Sequence, residues 1–124
     1  MFPAPEAVVQ RQLDAFNDRQ LDAWLATYAP EARQFELAGA LLADGHAAIR
    51  ARNAPRFADP ALHARLLQRA VMGHVVIDRE YVTRQLPEGP GYAEIVCIYE
   101  VSDGLIRTAT FHFGTPVAGP LPPP

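Results

Sequence analysis

The residues of this chain that could do chemistry are few. The single cysteine, Cys97, sits in EIVCIYEV between Val96 and Ile98. A nucleophilic cysteine needs a base or a thiolate-stabilising neighbour; these flanks supply neither, so Cys97 reads as a small buried side chain. The four histidines, His46, His63, His74 and His112, never fall at a ligand spacing such as H-x-x-x-H, and there is no CxxC, so no metal site is expected. His112 alternates with Thr108 and Thr110 and should face outward. His63 precedes a strand and is the histidine placed to reach a pocket mouth. In Asp78-Arg79-Glu80 the two carboxylates share one strand face and the arginine takes the other. Val75 and Ile77 against Val76 and Val82 leave the parity open, and an exposed charged face is expected there. Glu36 lies in QFELAG, where strand parity puts Gln34 and Glu36 on one face and Phe35 and Leu37 on the other. On a cavity wall such a carboxylate would have a raised pKa and could act as a base; on an edge strand it would be solvated. No GxSxG and no glycine-rich phosphate loop is present.

These groups must be positioned by helices that come first and strands that come last. Val9, Leu13 and Phe16 recur at i, i+4 and i+7, one face of a helix that follows Pro3 and Pro5. Asn17, with Gln20 three residues on, reads as a capping box. Leu21, Trp24, Leu25 and Tyr28 then predict a second amphipathic helix that Pro30 stops. RQFELAG predicts a short strand, ALLADG a second strand or turn, and Asp44 can cap a third helix that ends or kinks near Pro55. From Leu62 the pattern changes to long strands, LHARLLQRAVM and HVVIDREYVTRQL, followed by the loop PEGPG. The last two strands flank Ser102-Asp103-Gly104, a hairpin turn. Ile95, Cys97, Tyr99 and Val101 share one face of this hairpin with Ala109, Phe111 and Phe113 on its second arm. Val96 and Ile98 fall on the other. Helices segregated from an antiparallel sheet make the fold α+β. Trp24, Tyr28, Tyr99, Phe111 and Phe113 then either wall an aromatic pocket or fill a solid core. The outward Val96 and Ile98 suggest a homodimer through the outer sheet face. Residues 1–114 read as one domain and the tail TPVAGPLPPP, 115–124, as disordered or polyproline-like.

Composition bounds the rest. The chain has 124 residues, 49% of them apolar, and a formal net charge of −3, enough for one core without disulfides or metal. A basic footprint for nucleic acid is missing. All eleven basic residues are arginine, which reads as a GC-rich coding sequence or, alternatively, as anion recognition. The sequence shows no signal peptide and no apolar run of about 18 residues, so a cytoplasmic protein without a membrane partner is expected.

The strings VVQRQLDAFNDRQLDAWLATYAPEA, DGHAAIR and IYEVSDGLIRTATFHFG, in this order over residues 5 to 114, resemble the nuclear transport factor 2-like superfamily, and within it the SnoaL-like and steroid Δ-isomerase-like members. The resemblance implies a cone-shaped (cystatin-like) fold, with three N-terminal helices packed on a curved antiparallel sheet around a pocket for a small apolar molecule. It implies no cofactor. Members include isomerases, polyketide cyclases, dehydratases and non-catalytic binding domains, and fold does not decide among them. The ketosteroid isomerases use a carboxylate that shuttles a proton and two acidic donors aimed at the enolate oxygen. Carried over, the base falls on Glu36, the oxyanion tyrosine on Gln12 and the neutral aspartic acid on Cys97. An amide and a thiol are much weaker donors. The resemblance therefore implies either proton transfer on an apolar carbonyl compound with Glu36 as base, or a non-catalytic binding or scaffold domain.

Overall fold

The computed structural model describes all 124 residues. Helix α1 (Pro5–Asn17) starts with proline at its first position and buries Val8, Val9, Gln12, Leu13 and Phe16, the stripe that a 3.6-residue period requires. Helix α2 (Leu21–Leu25) is much shorter than expected. It ends before Tyr28, which instead opens strand β1 (Tyr28–Glu36). Pro30 is tolerated there because the β1 ladder is interrupted between Tyr28 and Arg33, where no backbone donor is required of it. Strand β2 (Leu41–Asp44) returns antiparallel to β1 and leads into helix α3 (Gly45–Phe57). Asp44 occupies the N-cap of α3 without capping it; its carboxylate bonds Arg33 instead, at 3.3 Å. The helix runs two residues past Pro55 before it ends.

Strands β3 (His63–Met72), β4 (Val75–Leu86), β5 (Gly89–Ser102) and β6 (Leu105–Phe113) form the long antiparallel meander. The sheet order is β2-β1-β6-β5-β4-β3, and β1 joins β6 in parallel, a junction the local pattern did not announce. Ladder shifts at Gln34/Phe35, Leu66/Gln68 and Glu100/Val101 bend the strands around the helices. The core sits between them: Val8, Val9, Trp24, Ile49 and Phe57 from the helical side meet Val76, Val82, Ile95, Tyr99, Val101 and Ile106 from the sheet.

Three expectations need correction. Asn17 does not cap α2. It ends α1, and its amide bonds Ala64 in both directions, Nδ2 donating to Ala64 O at 2.9 Å and Oδ1 accepting from Ala64 N at 2.8 Å. PEGPG is not all loop, because Gly89, Pro90 and Gly91 already pair with β4. The proline-rich tail does enter the sheet: Val117–Ala118, strand β7, pair with Tyr92 and Gly91 on β5. Beyond them, Arg65 Nη2 donates to Pro122 O at 2.8 Å.

Candidate ligand cavity and its buried carboxyl

Between α1, α2, α3 and the inner sheet face lies a small chamber with about 40 Å³ of free space. Its wall includes Gln12, Trp24 and Tyr28 from the helical side and β1, with Cys97, Tyr99, Phe111 and Phe113 from β5 and β6. Trp24 is held by neighbouring rings, 5.0 Å from Tyr28 and 5.3 Å from Phe57 between centroids. Gln12 is held by what it accepts: Trp24 Nε1 donates to its Oε1 at 3.1 Å and the Tyr99 hydroxyl does so at 3.4 Å. That leaves the Gln12 amide nitrogen without a protein acceptor.

Glu36 and His63 do not join these residues. Glu36 is the last residue of β1 and is exposed, on a shallow groove shared with Leu37, Phe111 and His112. Glu36 keeps the parity of Gln34, since Gln34, Phe35 and Glu36 stay in step with Ala109, Thr110 and Phe111 on β6, but it stands at the end of β1 beyond the chamber, which Tyr28 and Gln34 line from this strand. The expectation of Glu36 inside the cone is thereby corrected. His63 stands at the exposed start of β3 and does not line the chamber. His46 turns its Nε2 to Tyr28 O at 2.7 Å, and His112 is exposed. No group of three or more histidine, cysteine, aspartate or glutamate side chains gathers to hold a metal.

The carboxylates of β4 also differ from expectation. Asp78 and Glu80 are buried, at 0% and 5% exposure, on the same face as Val76 and Val82. Arg69 holds Asp78 with two bonds, Nε to Oδ1 at 2.7 Å and Nη2 to Oδ2 at 2.9 Å, and also reaches Gln10 Oε1 at 2.9 Å. Glu80 has no such partner. Its Oε1 lies 4.0 Å from Cys97 Sγ, and its Oε2 is buried with no hydrogen bond at all. Burial first and the neighbouring Asp78 second push the Glu80 carboxyl up to about 7, against the smaller opposing pull of Arg69 and Arg56. Burial also drives the Cys97 thiol well above its usual range, with the Glu80 charge adding to it. The thiol thus stays protonated and unreactive. Strand parity alone does not single out Glu80: Val76 and Val82 flank Asp78 and Glu80 on one face, but Val75 and Ile77 make the other face apolar as well.

Beside Glu80 stands a chain of oriented amides. Gln34 Oε1 accepts from Arg52 Nη1 at 3.0 Å and from Asn53 Nδ2 at 3.3 Å, so its Nε2 is the end that donates to the Tyr28 hydroxyl, at 3.4 Å. Tyr28 therefore accepts, and its own proton has no protein acceptor. Burial raises its pKa above the usual phenol value, so at neutral pH it is a neutral donor. The chamber combines one carboxyl poised near neutrality with two free donors, Tyr28 O–H and Gln12 N–H, in apolar surroundings.

A second, larger basin of about 340 Å³ opens outward from this chamber and shares Arg56, Val82, Ile95 and Phe113 with it. Its volume lies in the range of small-molecule sites, whereas the inner chamber alone would take only the tip of a ligand.

The fold recurs in solved structures. An uncharacterised cystatin-fold protein from Novosphingobium aromaticivorans is similar with a TM-score of 0.79 and 20% identity, covering 89% of this chain and 98% of that one. An NTF2-like protein of unknown function from Burkholderia pseudomallei gives 0.75 and 18%, over 88% and 89% of the two chains. A candidate polyketide cyclase from Sinorhizobium meliloti gives 0.70 and 27%, over 86% and 94%. No curated protein sequence matches. No helix is long and apolar enough to cross a membrane. The SnoaL-like domain profile matches residues 9–109, and this chain belongs to the SnoaL-like family.

Proposed function

We propose that this protein binds a planar apolar carbonyl compound in the cone and moves a proton on it, with Glu80 in the role the family resemblance assigned to Glu36. The observation that carries this reading is the buried Glu80 carboxyl, facing the chamber with one oxygen unpartnered and poised at about 7. A general base works best when its pKa is near the operating pH. In the ionised form Glu80 takes a proton from the carbon next to the carbonyl; the C–H electron pair forms the C=C bond and the carbonyl π pair moves to oxygen, giving an enolate. Tyr28 O–H and Gln12 N–H are the donors available to that oxygen. The proton then returns from Glu80 to carbon, so isomerase and cyclase chemistry share the first half of the sequence. Neither donor is as acidic as a buried carboxylic acid, which limits the rate this site can reach.

The test uses 2-tetralone in deuterated buffer, following loss of its α-protons by NMR, with Trp24 fluorescence as the binding signal. Glu80→Gln should abolish protein-dependent exchange while leaving the binding response intact; exchange that survives the substitution removes Glu80 as the base. The small free space of the inner chamber favours a second reading, a non-catalytic binding domain. Saturable binding without exchange of any carbonyl probe would select it.

A further inference from the structure

The outer basin is lined by three arginines, Arg52 and Arg56 from α3 and Arg84 from β4, together with Val82, Ile95 and Phe113. No carboxylate lines it. Five of the chain's other arginines are paired with aspartate or glutamate within 4.0 Å, but none of these three is. Arg52 and Arg56 stand one helical turn apart, so their charges repel. Arg52 donates only to the Gln34 amide and lies 5.7 Å from the Phe111 ring centroid and 6.0 Å from that of Phe113. Arg56 has only a long 3.4 Å bond to Asn53 Oδ1 and lies 6.0 Å from the Phe16 ring. Arg84 donates to no protein group, and its Nε is buried.

Three like charges, partly desolvated and with no salt-bridged carboxylate among them, are costly to hold together. Desolvation already weakens the hold of Arg52 and Arg56 on their protons. An anion in the basin would offset that cost, and guanidinium forks suit planar oxyanions. We infer that the ligand is amphipathic: an apolar body that fills the basin against Val82, Ile95 and Phe113 and carries an anionic oxygen group, carboxylate or phosphate, bound by Arg84, Arg52 and Arg56. This rests on the cone being a ligand site and names the substrate class for it. The body's neutral end enters the inner chamber toward Glu80, which an anion would avoid, because a negative charge beside an ionising Glu80 is repelled.

Calorimetric titration of the whole chain with 2-naphthoate, 2-naphthyl phosphate and the neutral 2-naphthamide, at low and high salt, tests this. At low salt at least one anion should bind about tenfold or more tighter than the amide, and salt should erode the difference. Arg84→Met should remove that preference and leave amide binding within about twofold; Arg52→Met serves the same purpose if Arg84→Met does not fold, as judged by circular dichroism. The relative affinity of the two anions decides between carboxylate and phosphate. Equal binding of anions and amide overturns the anion subsite but leaves the cone as a pocket. Unchanged naphthoate and naphthyl phosphate affinity in the folded arginine variants also overturns it. No binding of any of the three at millimolar concentration overturns the ligand site as well.

Discussion

Cys97 Sγ lies 4.0 Å from Glu80 Oε1 across neighbouring strands, while Glu80 Oε2 is buried with no partner. The ladder sets Cys97 opposite Asp78 and Glu80 opposite Ile95, so the two are diagonal neighbours on the inner face. A thiol is a poor donor, and Glu80 therefore enters the folded state as a desolvated carboxyl that resists ionisation.

That placement makes stability pH-dependent in a defined direction. The Glu80 carboxyl moves from an ordinary glutamate value of 4.5 to about 7 in the fold, so the folded state binds more protons between these values and loses stability as pH rises through them. The charged groups acting on it are Asp78, Arg69 and Arg56, and the neutral Cys97 thiol lies beside it. A shift of this size corresponds to roughly 3 kcal/mol as an order of magnitude. Urea melts from pH 4 to 8 should show the wild type falling relative to Glu80→Gln by about 1–3 kcal/mol; parallel curves would mean that Glu80 titrates normally.

The same carboxyl predicts the rate profile. Proton abstraction needs ionised Glu80, so kcat/KM for any carbonyl probe that turns over should rise with pH through about 7 and then level off. Glu36→Gln, at the exposed end of β1, should leave that profile unchanged. A loss of turnover in Glu36→Gln would restore the base to the position the resemblance chose.

Outside the cavity, Val96 and Ile98 stand half-buried on the outer face of β5, next to the exposed Ile77 of β4. We propose that a second copy of the chain covers this apolar strip. Sedimentation at high micromolar concentration should give a dimer, and Ile98→Glu should give a folded monomer, because burying an unpaired charge in each half costs several kcal/mol. A wild-type monomer would show that the strip is ordinary exposed surface.

The residues carry most of the fold openly and much less of the site. Period-3.6 spacing announced α1, and strict parity placed Ile95, Cys97, Tyr99 and Val101 on the buried face they occupy. Tyr28 could not be placed locally: its spacing from Leu21 and Leu25 fits a helix, and only the parallel ladder to Ile106 makes it a strand residue. Glu80 was hidden because a charged triplet normally marks a solvated strand; its burial depends on Arg69, which neutralises Asp78 from another strand. Long-range pairing of this kind leaves no local trace. The three basin arginines were equally hidden, since α3 and β4 bring them together only in the folded chain.

The tail supplies the last prediction. Strand β7 lies against β5 where β6 has ended, and Gly119 N donates to Pro90 O at 2.9 Å. The approach is close because residue 91 is glycine: a Cβ there would sit 2.3 Å from Leu86 Cδ1 and 2.6 Å from Val117 O. Leu86 can turn its side chain away, but the Val117 carbonyl can move only if the backbone of β7 moves. Gly91→Ala should therefore detach residues 117–119 and cost about 1–3 kcal/mol. Pro116, which lines the arginine basin, would be loosened with them. Hydrogen exchange should show the Gly119 amide losing protection in Gly91→Ala while the Cys97 amide keeps its own. Equal protection of Gly119 in both proteins would mean that β7 has room to accommodate the methyl group.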